Sequence, residues 1–93
     1  MRWNSCTMAL VVLGVLGGCA TLDTLERARA TLAQAERAGA ATTAPYPFHR
    51  ARAFLEMAEH ETDEFDWAAA RTWAGMALED ARQALENARG ASR

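Results

Sequence analysis

Lysine is absent from this chain of 93 residues, so all ten of its positive charges are arginine. Against twelve aspartates and glutamates they leave a formal net charge of −2. A nucleic-acid binder carries a basic excess on one face, and nothing here supplies one. Serine occurs only at Ser5 and Ser92, near the two ends. With no nucleophile–base pairing in view and no glycine-rich phosphate loop, the chain is not expected to be an enzyme. A small alanine-rich bundle also offers no large polar pocket for substrate. Cysteine is limited to Cys6 and Cys19, and proline to Pro45 and Pro47. No stretch alternates apolar and polar residues in the manner of a strand. The one apolar run, Thr7 to Leu16 with a single glycine at Gly14, is well short of the roughly 20 residues that span a bilayer. The length allows one small domain.

That apolar run follows a short positive start, Met1-Arg2, and ends in the stretch "VLGVLGGCATLDTL", after which charged residues begin. A positive end, an h-region of this length and small residues at its close form the pattern of an export signal. Leu16-Gly17-Gly18-Cys19 resembles the lipobox of bacterial lipoproteins: an aliphatic residue three before the cysteine, small residues next, then the cysteine. A membrane peptidase needs small side chains beside the bond it cuts, and the thiol must lie at the membrane surface to receive a diacylglyceryl group. The resemblance implies removal of residues 1–18, with Cys19 as the lipidated first residue of a mature domain, residues 19–93. The mature chain then has one cysteine and no internal disulfide, and acylation disposes of a thiol that would be a liability in an oxidising compartment. Each buried methylene contributes about 0.8 kcal/mol, so two or three acyl chains anchor stably. No other cofactor is expected.

The residue after Cys19 is Ala20, not the aspartate that tends to retain Gram-negative lipoproteins in the inner membrane. The expected address, in a Gram-negative organism, is the outer membrane facing the periplasm. The 75 mature residues carry nine arginines and twelve acidic groups, a formal charge of −3. Short helical lipoproteins that join peptidoglycan covalently use a C-terminal lysine. This chain ends Ala91-Ser92-Arg93, so that linkage is not expected.

The mature chain reads as all-α, with three helices. The first is expected over about residues 21–38, with Leu22, Leu25, Ala28, Leu32 and Ala35 on one stripe, Asp23 and Glu26 near its start and Gly39 as its stop. The stretch "GAATTAPYPF" marks a turn. The second helix is expected over 47–63, Pro47 occupying the first turn, where its missing N–H costs nothing. Phe48, Ala51, Leu55, Ala58 and Thr62 form its seam, widened by Phe54. After the acidic turn "DEFD", Asp66 is the expected N-cap of a third helix over 67–89. Its seam is Trp67, Ala70, Ala74, Ala77, Ala81, Ala84 and Ala88, flanked by Leu78 and Leu85, and Gly90 is the expected close. Helices two and three form a hairpin and helix one packs beside them. So alanine-rich a core buries little area per residue and is expected to be marginal at this size, which invites help from the anchor, self-association or a partner.

The segment "FDWAAARTWAGMAL" resembles the second half of a tetratricopeptide repeat, with Trp67, Ala70, Ala74, Ala77 and Leu78 at the motif's aromatic, small, bulky, small and aliphatic positions. Ala74 is smaller than the motif prefers, and Phe65 stands where a glycine is usual, so the turn is expected to differ. Only one unit is present, whereas an array needs about three. The wider succession "RARATLAQAERAGA", "TAPYPFHRARAFLEMAE" and "FDWAAARTWAGMALEDARQAL" resembles the family catalogued as domain of unknown function 4398, across nearly all of the mature chain. Members are small bacterial lipoproteins with an alanine-rich helix, an Ala-Pro turn and a repeat-like hairpin, some joined to peptidoglycan-binding domains. The resemblance implies an envelope role and supplies no catalytic residue.

Two groups of residues remain as candidate sites. Glu56, His60 and Glu64 are four apart and share a face if the helix reaches that far. Carboxylates flanking an imidazole suit a divalent metal or a histidine that responds near neutral pH, which makes a periplasmic metal- or pH-sensing module the alternative function. The bland alternative is a solvated face with pairs such as Arg52–Glu56. The second histidine of the His-Glu-x-x-His zinc pattern is missing, and His49 is eleven residues from His60, about three turns away. Trp73 and Met76 lie off the third helix's seam and form either a partner-binding patch or a surface covered by helix one. Tyr46, in the expected turn, is either an exposed contact or a staple on the following helix. The expected function is a membrane-anchored structural or interaction module, its partner another envelope protein or a second copy of itself.

Overall fold

The computed structural model describes the backbone of residues 5–93 and the side chains from Gly17 onward. The positive start at Met1-Arg2 and the side chains of Cys6 and of the apolar run through Leu16 lie outside the described residues. Four helices occupy the described chain, α1 (Ser5–Arg37), α2 (Ala40–Thr43), α3 (Pro45–Asp63) and α4 (Trp67–Ala91), with no strand among the described residues.

α1 is longer than expected because nothing between the apolar run and the amphipathic segment breaks it. Gly17, Gly18 and Cys19 continue the helix, each glycine costing only about 1 kcal/mol relative to alanine. Asp23 and Glu26 consequently lie inside the helix and not in its first turn. The helix stops where expected: Gly39 adopts φ 85, the left-handed conformation open to glycine. The following stretch is not an open turn. Its first residues close one helical turn, α2, whose Thr42 and Thr43 amides donate to the Gly39 carbonyl. Ala44 then leaves the helical region, at φ −140 and ψ 56, as the residue before a proline is driven to do. Pro45 is therefore the first residue of α3, two positions earlier than expected. Both prolines sit in the first turn, where amides lack intrahelical partners.

The α3–α4 connection is three residues long. Phe65 adopts φ 57 there, so it supplies the left-handed bend that glycine ordinarily supplies and the turn is made despite the substitution. Asp66 caps α4, its Oδ1 accepting from the Ala69 amide at 3.1 Å, as expected. α4 runs through Gly90 to Ala91. Gly90 is thus inside the helix and does not close it.

α4 is the central element. Trp73 meets Phe54 and Asp80 meets Arg50, so α3 runs antiparallel to it. Leu25 clusters with Ala74, and Ala28 with Ala77, so α1 runs parallel to it. The beginning of the amphipathic part of α1 and the α3–α4 turn consequently share one end of the bundle. Among the described residues twelve of the sixteen buried hydrophobic residues are alanine, and the largest of the sixteen is Phe48. Small residues at these seams bring the helix backbones close, so dispersion between backbones takes the place of large interdigitating side chains. The expected seams hold except at Leu22, which is 48% exposed, while Thr21 is buried. Thr21 fits inside because its hydroxyl donates to the Gly17 carbonyl at 2.9 Å.

Close packing of this kind tolerates enlargement poorly. Ala84→Leu is expected to lower unfolding free energy by about 1–3 kcal/mol in urea titration. Phe65→Gly is expected to raise it by about 1 kcal/mol, because glycine adopts the left-handed backbone without the steric penalty of a Cβ. An unchanged urea midpoint for either variant would contradict the corresponding argument.

Candidate functional site

At the shared end, α1 brings Gly17, Gly18 and Thr21 against the start of α4. Gly18 is buried. A Cβ placed on it would lie 3.5 Å from Cε2 of the Trp67 indole. Thr21 sits one turn on, its hydroxyl 3.4 Å from the Trp67 carbonyl. Cys19 is exposed, with a free thiol. A shallow cleft of about 290 Å³ between α1 and α4 is lined by Gly17, Thr21, Trp67, Ala68 and Arg71. Phe65 completes this end. It is 76% exposed, and its ring meets the Trp67 ring edge-on at 6.2 Å between centroids. A Cβ at Gly18 would meet the indole at ordinary van der Waals distance, and one at Gly17 would meet nothing within 4 Å, so packing does not demand glycine at either position.

A second cluster lies along the α3–α4 face. Arg50 Nε donates to Asp80 Oδ2, and Nη2 to Oδ1, each at 2.7 Å. Asp80 is 3% exposed, and the two-pronged bond gives both of its carboxylate oxygens a donor from a charged partner inside the bundle. Asp80, and after it Tyr46, hold the Arg50 guanidinium still more firmly in its charged form than a free arginine. Nη1 donates to the Tyr46 hydroxyl at 3.2 Å. The guanidinium also lies 5.2 Å from the Tyr46 ring centroid and 5.8 Å from that of Phe54. Phe54 stacks in turn on Trp73, 5.5 Å apart with 27° between the ring planes.

The candidate partner residues divide within this cluster. Trp73 is half-buried and packs with Leu25 of α1, Ala58 and Ala74, so helix one does reach it. Met76 stays exposed. Tyr46 lies inside α3, not in a turn, and is 71% exposed, held by Arg50. The spacing of single apolar residues could not disclose the Arg50–Asp80 pair, which joins positions 30 residues apart. Its one trace in the sequence is a carboxylate set beside the alanine seam of α4, between Ala77 and Ala81.

Glu56 and His60 are exposed on α3, and Glu64 lies just past the helix end as its C-cap. The face is interrupted at its last member. Among the described residues no three histidines, cysteines or acids are grouped so as to hold a metal ion. Arg52 turns to Glu36 of α1, at 3.8 Å, not to Glu56. His49, also exposed, meets Phe48 edge-on. Among the described residues no helix is long and apolar enough to cross a membrane.

The half-buried geometry predicts a difference between ion pairs. A double-mutant cycle on Arg50→Met and Asp80→Asn is expected to give a coupling above the ~0.2–1 kcal/mol of an exposed pair. The same cycle on Arg29 and Glu59, 3.2 Å apart with both side chains nearly half exposed, is expected to fall within that range. Equal couplings by thermal melts would refute the distinction.

The family model described as a domain of unknown function (DUF4398) matches residues 23–93. No curated protein and no solved structure matches the chain.

Proposed function

Starting from the fact that the chain belongs to the domain of unknown function 4398 family, we propose that it is a lipid-anchored structural or interaction module of the bacterial cell envelope. The observation that carries the reading is Leu16-Gly17-Gly18-Cys19 at the end of a short apolar run after Met1-Arg2. The family match begins at residue 23, four positions past Cys19, which suits a leader followed at once by the folded domain. Exposure of Cys19 at the end of the bundle suits a thiol that carries lipid outside the protein core.

In this reading residues 1–18 are a signal peptide removed during export. Two or three acyl chains on Cys19 hold residues 19–93 at the membrane, each buried methylene adding about 0.8 kcal/mol. Ala20 favours the outer membrane, facing the periplasm of a Gram-negative cell. The antiparallel α3–α4 pair acts as a single tetratricopeptide-like hairpin, and its outer face offers Tyr46, Met76 and the edge of Trp73 to an envelope protein or a second copy. Arg50 holds Tyr46 and Phe54 in fixed orientation, which lowers the entropy lost on contact. No catalytic step and no cofactor beyond the covalent lipid belong to this function.

The test is the intact mass of the membrane-extracted product beside Cys19→Ala. The expected mass is residues 19–93 plus two or three acyl chains, lost in the variant. An unmodified product retaining its first 18 residues would refute the anchor.

A further inference from the structure

Phe65 presents two features that packing does not require. It is the most exposed large hydrophobic residue of the described chain, at 76%. It also holds φ 57, a conformation that penalises any residue bearing a Cβ and is nearly free for glycine. The turn would form more easily with glycine, so the backbone does not call for an aromatic residue, and the contact with Trp67 leaves most of the ring in solvent. Phe65 contacts the Trp67 ring, and Trp67 in turn lies against Gly18, the residue before Cys19. The aromatic pair and the cysteine therefore occupy the same end of the bundle.

Processing changes this end. Removal of Gly17 and Gly18 takes away the residue that covers the Trp67 indole and one wall of the cleft beside Thr21 and Arg71. It bares apolar ring surface where the acylated Cys19 enters the bilayer. An exposed phenylalanine next to a tryptophan whose indole carries an N–H suits the boundary between acyl chains and headgroups, where rings of this type concentrate. The surrounding charge selects among lipids. Asp63, Glu64 and Asp66 flank the rings and are all exposed, with Arg71 the nearby cation. Such a tip is repelled by anionic headgroups within a Debye length, about 10 Å at 0.1 M salt.

Resting on the lipid-anchor reading above, we propose that the α3–α4 turn is a second membrane contact, in which Phe65 and Trp67 seat this end of the bundle on a zwitterionic lipid surface beside Cys19. One acyl-bearing residue alone is a flexible tether. A second apolar contact beside it sets the axis of the bundle relative to the membrane and points the opposite end, with the Gly39 turn, toward the periplasmic interior.

The experiment uses the full chain, expressed in a bacterium, purified with its lipid and placed in phosphatidylcholine vesicles with and without brominated acyl chains. Two single-tryptophan forms are compared, Trp73→Phe, which reports Trp67, and Trp67→Phe, which reports Trp73. Trp3 leaves with the signal. Brominated lipid is expected to quench Trp67 at least twofold more than Trp73. Phe65→Gly, and as a second variant Phe65→Asn, which also tolerates the left-handed backbone, are expected to remove at least half of that quenching. Replacing half of the lipid by phosphatidylglycerol is expected to reduce it, and added salt to restore it. Equal quenching of the two tryptophans, in protein whose mass shows the acyl chains, overturns the second contact and leaves the anchor standing. A product that keeps residues 1–18 and carries no acyl chain overturns both.

Discussion

Alanine at positions 70, 74, 77, 81, 84 and 88 is the constraint on which the bundle depends. All six are buried on α4, the helix that packs against both α1 and α3. A methyl group at each position lets two neighbouring backbones come close along the length of one helix. The same closeness limits what else fits inside: Phe48 is the one aromatic side chain fully buried among the described residues. The other aromatic groups are displaced to the edges, Phe54 and Trp73 along the α3–α4 face, Phe65 and Trp67 at the turn. The candidate surfaces are thus a product of the core. A bundle with larger seam residues would have room to take these rings in.

Close approach also explains the one buried charge among the described residues. Asp80 lies beside the alanine seam, where α3 passes near enough for Arg50 to reach it from the rim and bond with both prongs. The arginine stays half in solvent, so only one partner of the pair bears a large desolvation cost. Because the bond fixes position 50 of α3 opposite position 80 of α4, it selects one register in a seam whose alanines are nearly interchangeable. An alanine stripe gives little penalty for sliding by a turn, whereas a stranded carboxylate gives a large one.

Much of this was legible in the sequence, for reasons that differ from element to element. The seams of α1, α3 and α4 follow from residue spacing, because in so small a bundle each helix buries a single stripe. Leu22 misled because leucine looks like core, whereas position 21 has the geometry and a threonine can enter by bonding its own helix. The Asp66 cap and the Gly39 stop are local chemistry and were readable as such. Gly90 was not, since glycine ends a helix only where the chain turns, and here it continues. The stretch after Gly39 hid a helical turn because its polar composition matches both. Cys19 was legible as a candidate from its neighbours alone. The Arg50–Asp80 bond and the meeting of Phe65 with Trp67 beside Gly18 depend on which helices pack together and in what direction, which no local pattern contains.

That direction has a further consequence. With α1 parallel to α4 and antiparallel to α3, the chain must bring the α3–α4 turn back to the level of Cys19. Whatever residues occupy that turn then lie at the same end of the bundle as Cys19. In a free-standing domain the least costly occupants would be glycine and polar residues. Here an exposed phenylalanine sits in a strained conformation among acidic neighbours. Strain of this kind persists where the side chain has a use that folding does not supply, and the topology leaves that use at one end of the molecule. In the proposed reading the acidic neighbours keep the turn soluble before a membrane is reached, and the rings would act only once lipid at Cys19 had brought them to a surface.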